Sequence, residues 1–217
     1  MALNVPVTTW TAIVPIRSLT DGKTRLAGYP GASVLTEAFA RDVIAACMAC
    51  PEIGHIALVS PDPRVVDLAF ASGCIGIAES DSDSDSDSGG INGAIAQARQ
   101  ELSDAENVVA ILGDLPCIDG PSLSIVLRAA QEHETSFVPD TAGTGTTIWC
   151  SSNPSALSHF GHHSRAEHRA DGAIELGVDQ TSLQWARARR DVDTEIDLWD
   201  ADRLGLGPAT RAIVQPG

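Results

Sequence analysis

The stretch Asn107-Val-Val-Ala-Ile-Leu-Gly-Asp-Leu-Pro116 decides how this chain is read. The run from Asn107 to Leu112 is apolar after its first residue and shows no polar alternation, which predicts a short strand buried on both faces, as in a parallel sheet. The turn Gly113-Asp114-Leu115-Pro116 then stands at the carboxyl end of that strand, where open α/β sheets bind their ligands. Asp114 is expected to project into a cleft.

A second acidic motif, Asp191-Val192-Asp193-Thr194, follows another partly apolar run and is expected to close a second strand. Residues two apart in extended backbone face the same side, with alpha carbons roughly 6 to 7 Å apart, a workable span for carboxylates holding one or two hard divalent cations. An aspartate after a strand also serves as a turn former or helix N-cap. Thr194 reads as such a cap, with Asp197 closing an imperfect capping box before a helix over 195–204. The two roles are compatible. Three aspartates converging beside a phosphate-binding loop would form a phosphoryl or nucleotidyl transfer site.

Outward from these motifs the chain alternates strand and helix. A β-type run over 10–16 leads through a polar loop to a helix over 33–50; a strand over 56–59 leads to a helix over 63–72, which Asp62 caps and Gly73 stops. A strand over 74–78, a helix over 91–102, the strand 107–112 and a helix over 121–132 continue the pattern. This alternation predicts a three-layer α/β fold with a mixed, mostly parallel sheet, Rossmann-like and within one domain spanning 1–217. After residue 130 the pattern changes to strands near 136–138 and 146–150, a Ser- and His-rich loop, a helical stretch around 165–176, a strand ending at Asp193 and a short helix opened by Gly207-Pro208. These are expected to extend the sheet with an antiparallel element.

The 217 residues are 43% hydrophobic, with 14 Lys plus Arg against 29 Asp plus Glu, a net charge of -15. That balance argues against broad contact with nucleic acid or an anionic membrane, so an anionic substrate must meet local positive charge. No basic leader with an apolar core and no run of roughly 18 apolar residues is present, and a cytoplasmic location is expected. Cys47, Cys50, Cys74, Cys117 and Cys150 are odd in number and sit mostly in apolar runs, as reduced core thiols do. Residues 79–90, dominated by alternating Asp and Ser, are expected to form a mobile solvated loop that could border the nucleotide pocket.

Positive charge gathers in Arg17-Ser-Leu-Thr-Asp-Gly-Lys-Thr-Arg-Leu26, where Arg17, Lys23 and Arg25 surround Gly22 between the first strand and first helix. Such a loop can cradle a triphosphate, although it matches neither the Walker A nor the G-x-G-x-x-G pattern. Asp140-Thr-Ala-Gly-Thr-Gly-Thr146 and Phe160-Gly-His-His-Ser164 offer amides and hydroxyls suited to a phosphate or carboxylate. As purely structural features they read as a hairpin turn and a helix start. The spacing of His159, His162, His163 and His168 matches no standard zinc pattern.

Taken in order, Lys23-Thr-Arg-Leu26, Gly113-Asp-Leu-Pro116, Ser136-Phe-Val-Pro-Asp140, Gly143-Thr-Gly-Thr146, Phe160-Gly161 with Ser164 and His168, Gly172-Ala-Ile-Glu-Leu176 and Asp191-Val-Asp-Thr194 resemble the CofC/FbiD-type guanylyltransferases of deazaflavin coenzyme biosynthesis. The resemblance implies a nucleotidyltransferase variant of the Rossmann-like sandwich and transfer of GMP from GTP to 2-phospholactate, phosphoenolpyruvate or 3-phosphoglycerate. It further implies that Asp114, Asp191 and Asp193 carry Mg2+, with two ions expected, that Thr146, Gly161 and Ser164 line the acid site, and that Arg17, Lys23, Arg25 and Asn92 serve the nucleotide. Family analogy suggests a homodimer. Arg17 stands where the family usually has lysine, and the Asp-Ser run replaces a more ordinary loop. A related enzyme using another nucleotide or acceptor, or a non-catalytic nucleotide-binding protein, are the alternative readings.

Overall fold

The computed structural model describes residues 9–19, 26, 29, 32–80 and 90–215. Lys23, Arg25 and the Asp-Ser run 81–88 lie outside the described residues. The chain order is β1 (Trp10–Pro15), α1 (Ala32–Met48), β2 (Ile53–Ser60), α2 (Pro63–Ala71), β3 (Ile75–Ala78), α3 (Gly90–Glu101), β4 (Val108–Ile111) and α4 (Gly120–Ala130). It continues with β5 (Thr135–Pro139), β6 (Thr146–Ser151), α5 (Ser164–Ala170), β7 (Ile174–Glu175), α6 (Leu183–Arg189), α7 (Glu195–Leu204) and α8 (Pro208–Val214).

One seven-stranded sheet runs in the order β3-β2-β1-β4-β6-β5-β7. The neighbours β2–β3, β1–β2, β1–β4 and β5–β7 are parallel, and β6 is antiparallel to both β4 and β5. Unbroken apolar runs are what such a sheet requires, because helices cover both of its faces. Every residue of β1 and β4 is buried. Alternate residues serve opposite layers: Ala12, Val14, Val109 and Ile111 pack with α1, α4 and α6, whereas Ile13, Val108 and Ala110 pack with Ala94, Ile95 and Ala98 of α3. A third cluster, containing Leu35, Phe39, Cys117, Val192 and Leu198, lies under α7.

Local chemistry fixes the helix starts. Asp62 caps α2 through its bond from the Arg64 N–H, with Pro63 beside it, and Asp119 caps α4 through the Ser122 N–H. Asp42, buried in α1, accepts the Ala209 and Thr210 N–H groups at 2.9 Å each and so anchors α8 from across the molecule. The approach is close enough that a Cβ on Gly207 would stand 2.3 Å from the Asp42 carboxyl carbon, so the residue before Pro208 must be glycine. All five cysteines are buried and free. No helix among the described residues is long and apolar enough to cross a membrane.

Two expected elements are different in the structure. The helical stretch around 165–176 is only α5; the Ala173 N–H bonds to the His168 carbonyl, and Ile174–Glu175 instead pairs with Ser136–Phe137 as the edge strand β7. The expected strand ending at Asp193 is the helix α6, whose inward residues Trp185 and Ala188 are three apart, a helical spacing that faces them to one core. Asp191–Asp193 follow it as irregular backbone.

Candidate active site

The strand order reverses direction between β1 and β4, which lie side by side while their chain neighbours depart to opposite ends of the sheet. Such a switch point opens a crevice beyond the strand carboxyl ends. Asp114 stands there, two residues past Leu112.

The second acidic motif reaches the same crevice by a different route. The Val192 N–H donates to the Asp114 carbonyl at 3.1 Å, tying the two motifs backbone to backbone. Between its acidic neighbours Val192 is fully buried, an anchor that contributes about 1.5–3 kcal/mol, and it leaves Asp191 half-buried and Asp193 exposed on either side. The capping box of α7 completes the clamp. Thr194 Oγ1 accepts the Asp197 N–H at 3.3 Å, and Asp197 Oδ2 accepts the N–H groups of Thr194 at 2.9 Å and Asp193 at 3.2 Å. The cap therefore also fixes the backbone that presents Asp193.

The electrostatics report the convergence. Burial, and then the negative charges of Asp114, Asp140 and Asp193, push the Asp191 carboxyl up to about 7. Asp140, just past the end of β5, is a fourth carboxylate beyond those of the two acidic motifs. Its signal was available, since Phe137-Val-Pro-Asp140 repeats the pattern of a buried strand followed by aspartate. Arginines brace this acidic cluster from behind: Arg189 donates to the Asp140 carbonyl at 3.3 Å, and Arg190 pairs with Asp197 at 3.4 Å and Asp200 at 3.3 Å. Among the described residues no three His, Cys, Asp or Glu side chains are set close enough to enclose an ion as they stand. Asp114, Asp191 and Asp193 are thus neighbours that feel one another without forming a closed ligand set.

On the neighbouring side Thr146, Gly161 and Ser164 are brought together by the β5–β6 hairpin and the start of α5. The Arg165 N–H bonds to the Thr144 carbonyl at 3.2 Å and the Arg165 guanidinium to the Gly143 carbonyl at 2.9 Å, docking α5 on the hairpin. Thr146 is buried and its hydroxyl lies 3.0 Å from His168 Nδ1. Ser164 Oγ is buried with no hydrogen-bond partner among the described residues, which leaves a donor for a ligand. Gly161 adopts φ +145 with open space where a Cβ would lie, so a ligand can approach its backbone closely.

Asn92 is committed to the loop rather than to open space. Its Oδ1 accepts the Phe160 N–H at 2.8 Å and the Ser158 hydroxyl at 3.0 Å, and its Nδ2 donates to the Phe160 carbonyl at 2.9 Å. One amide proton remains for another partner. Arg17 is exposed just past β1 and lies near Glu79, whose carboxyl is pushed up by burial and drawn down by the Arg17 charge.

Aspartates from separate segments, gathered at the switch point of a mostly parallel sheet, are the arrangement of a nucleotidyltransferase. The solved structure of 4-diphosphocytidyl-2C-methyl-D-erythritol synthase shares the fold, with a TM-score of 0.60 at 12% identity over 91% of this chain and 99% of that one. The chain belongs to the family of CofC-like guanylyl transferases, whose model matches residues 10–201. The phosphoenolpyruvate guanylyltransferase of Streptomyces coelicolor is 37% identical over 214 residues, covering 94% of this chain and 95% of that protein. That of Streptomyces avermitilis is 37% identical over 210 residues, covering 94% and 93%.

Proposed function

We propose that the chain transfers GMP from GTP to the phosphate of a small phosphorylated carboxylic acid, phosphoenolpyruvate, 2-phospholactate or 3-phosphoglycerate, as a step in deazaflavin coenzyme synthesis. The observation that carries this reading is the bond from the Val192 N–H to the Asp114 carbonyl, which brings both acidic motifs to the switch point. The names of the relatives support the guanylyl group and favour phosphoenolpyruvate among the acids.

In the reaction a phosphate oxygen of the acid attacks the α-phosphorus of GTP. A new P–O bond forms, the bond to the bridging β-oxygen breaks, and pyrophosphate leaves with the electron pair. A phosphate dianion is already nucleophilic, so no general base is required. The difficulty is the approach of two anions, and alignment together with positive charge overcomes it. All-oxygen carboxylates near enough to add to the effect of burial on Asp191 suit magnesium, and Asp114, Asp191 and Asp193 would hold it. Bound there, magnesium supplies the charge that phosphate oxygens need. Thr146, Ser164 and the Gly161 backbone would orient the acid, and Arg17, Lys23 and Arg25 the triphosphate.

Incubation with GTP, Mg2+ and each acid in turn, followed by mass spectrometry and pyrophosphate detection, tests the reading. One acid is expected to gain a guanylyl group. Unchanged GTP with every acid, or faster consumption of CTP, would overturn it.

A further inference from the structure

The ring of His168 is fully buried, stacked on Phe137 with centroids 5.2 Å apart and edge-on to Phe160 at 5.8 Å. Its Nε2 accepts the backbone N–H of His159 at 2.9 Å. A peptide N–H can only donate, so Nε2 carries a lone pair, and a neutral imidazole then carries its proton on Nδ1. Nδ1 lies 3.0 Å from Thr146 Oγ1, and that bond must therefore run from histidine to threonine. Thr146 keeps its own proton, with no second hydrogen bond for it among the described residues. Its hydroxyl becomes a donor of fixed direction.

The surroundings hold this tautomer in place. A doubly protonated ring would set its Nε2–H against the His159 N–H, and the titratable groups around it are His159, edge-on at 5.5 Å, and Asp171, which lies 2.6 Å from His159 Nε2. The His159 N–H is itself positioned, because Asn92 grips Ser158 and Phe160 on either side of it. An unbroken chain of contacts thus leads from α3 through the 158–160 loop and His168 to Thr146.

We propose that His168 is a positioning residue: its Nδ1–H occupies Thr146 Oγ1 and thereby commits the Thr146 hydroxyl to donate to the anionic acid substrate. The inference rests on the acid-site reading given above and adds the group that orients it. Thr146 alone would be free to accept, and an anion is bound only by a donor.

Two substitutions that both remove the ring separate positioning from packing. His168→Asn places an amide near Nδ1 and keeps the donor to Thr146; His168→Gln reaches toward Nε2 and keeps only the contact to His159. Both should lower Tm by similar amounts. His168→Gln is expected to raise KM for the acid by roughly 10- to 100-fold, the worth of a hydrogen bond to a charged group. His168→Asn should restore most of that affinity, KM for GTP should be unchanged in both, and Thr146→Val should gain no further defect from His168→Gln. Equal KM values for the two variants, a parallel change for GTP, or additive defects with Thr146→Val would overturn the proposal. Imidazole 15N shifts of the wild-type chain give an arm independent of activity: a protonated Nδ1 is expected, and a protonated Nε2 would overturn the assignment. Absence of turnover with every acid would instead remove the acid-site reading while the spectroscopic arm still decides the tautomer.

Discussion

The two sides of the crevice are built on opposite principles. Around Thr146, neutral groups satisfy one another: His168, the His159 N–H and the amide of Asn92 form a network whose members each have a partner. Around Asp114, carboxylates from three segments face one another, and burial together with their charges pushes Asp191 up to about 7. A neutral network can be set before any ligand arrives, its internal bonds fixing the direction of the few donors, Thr146 and Ser164 among them, that are left to face the ligand. Like charges held close repel, and a bound cation would relieve that repulsion. One side is held by side-chain hydrogen bonds, and the other by its backbone anchors.

The comparison breaks most sharply at Asp191. Asp191→Asn should lower turnover by roughly 10²- to 10³-fold, the range for loss of a group that stabilises transition-state charge, while leaving Tm unchanged or higher because repulsion is relieved. Steady-state pyrophosphate release and a thermal melt check both halves; a fall in Tm with full turnover would show that the carboxylate is structural.

Acid should separate the two sides with opposite signs. Burial lowers the His168 pKa from 6.5 to about 4, so the native state binds fewer protons than the unfolded chain between those values. The corresponding stability is fully present above pH 6.5 and is lost as pH falls toward 4, about 3 kcal/mol in all. For Asp191 the native pKa is the higher one, so its contribution to stability falls as pH rises from 3.8 toward 7. Urea titrations of wild type and His168→Asn across pH 4 to 7 isolate the first effect, and those of Asp191→Asn the second. A wild-type profile parallel to that of His168→Asn would remove the histidine assignment.

Magnesium should act on one side alone. At 100 times its dissociation constant it should stabilise the fold by about 2.7 kcal/mol at pH 8, and by less below pH 6 as protons compete for Asp191. Asp191→Asn should lose most of this shift and Thr146→Val none of it. Thr194→Ala gives the smallest effect, about 1 kcal/mol from loss of a cap, with weakened magnesium stabilisation because the same cap clamps the backbone of Asp193.

Much of the fold is visible in residue type. Continuous apolar runs at β1 and β4, Asp62-Pro63, and the Thr194/Asp197 pair encode their structures within a few positions, since periodicity and capping are local. The second half is harder to read. The segment over 183–189 carries apolar residues at a spacing that fits a helix, yet its proximity to Asp191 suggested a strand, and Ile174–Glu175 are a strand only because the edge of β5 is there to pair with them. Lys23 and Arg25 rest on the sequence reading, as their positions lie outside the described residues.

The sequence by itself determined which groups exist to do chemistry: aspartates after buried runs, hydroxyls in glycine-rich turns, and cations gathered in one loop of an acidic chain. Only the tertiary structure decided which of them meet. It joined Asp191 and Asp193 to Asp114 through the buried Val192, recruited Asp140, and turned His168 from one histidine among several into the partner of Thr146. Those contacts join residues from 22 to 78 positions apart, as their own numbering shows, and distance along a chain carries no record of which backbone N–H will find which carbonyl.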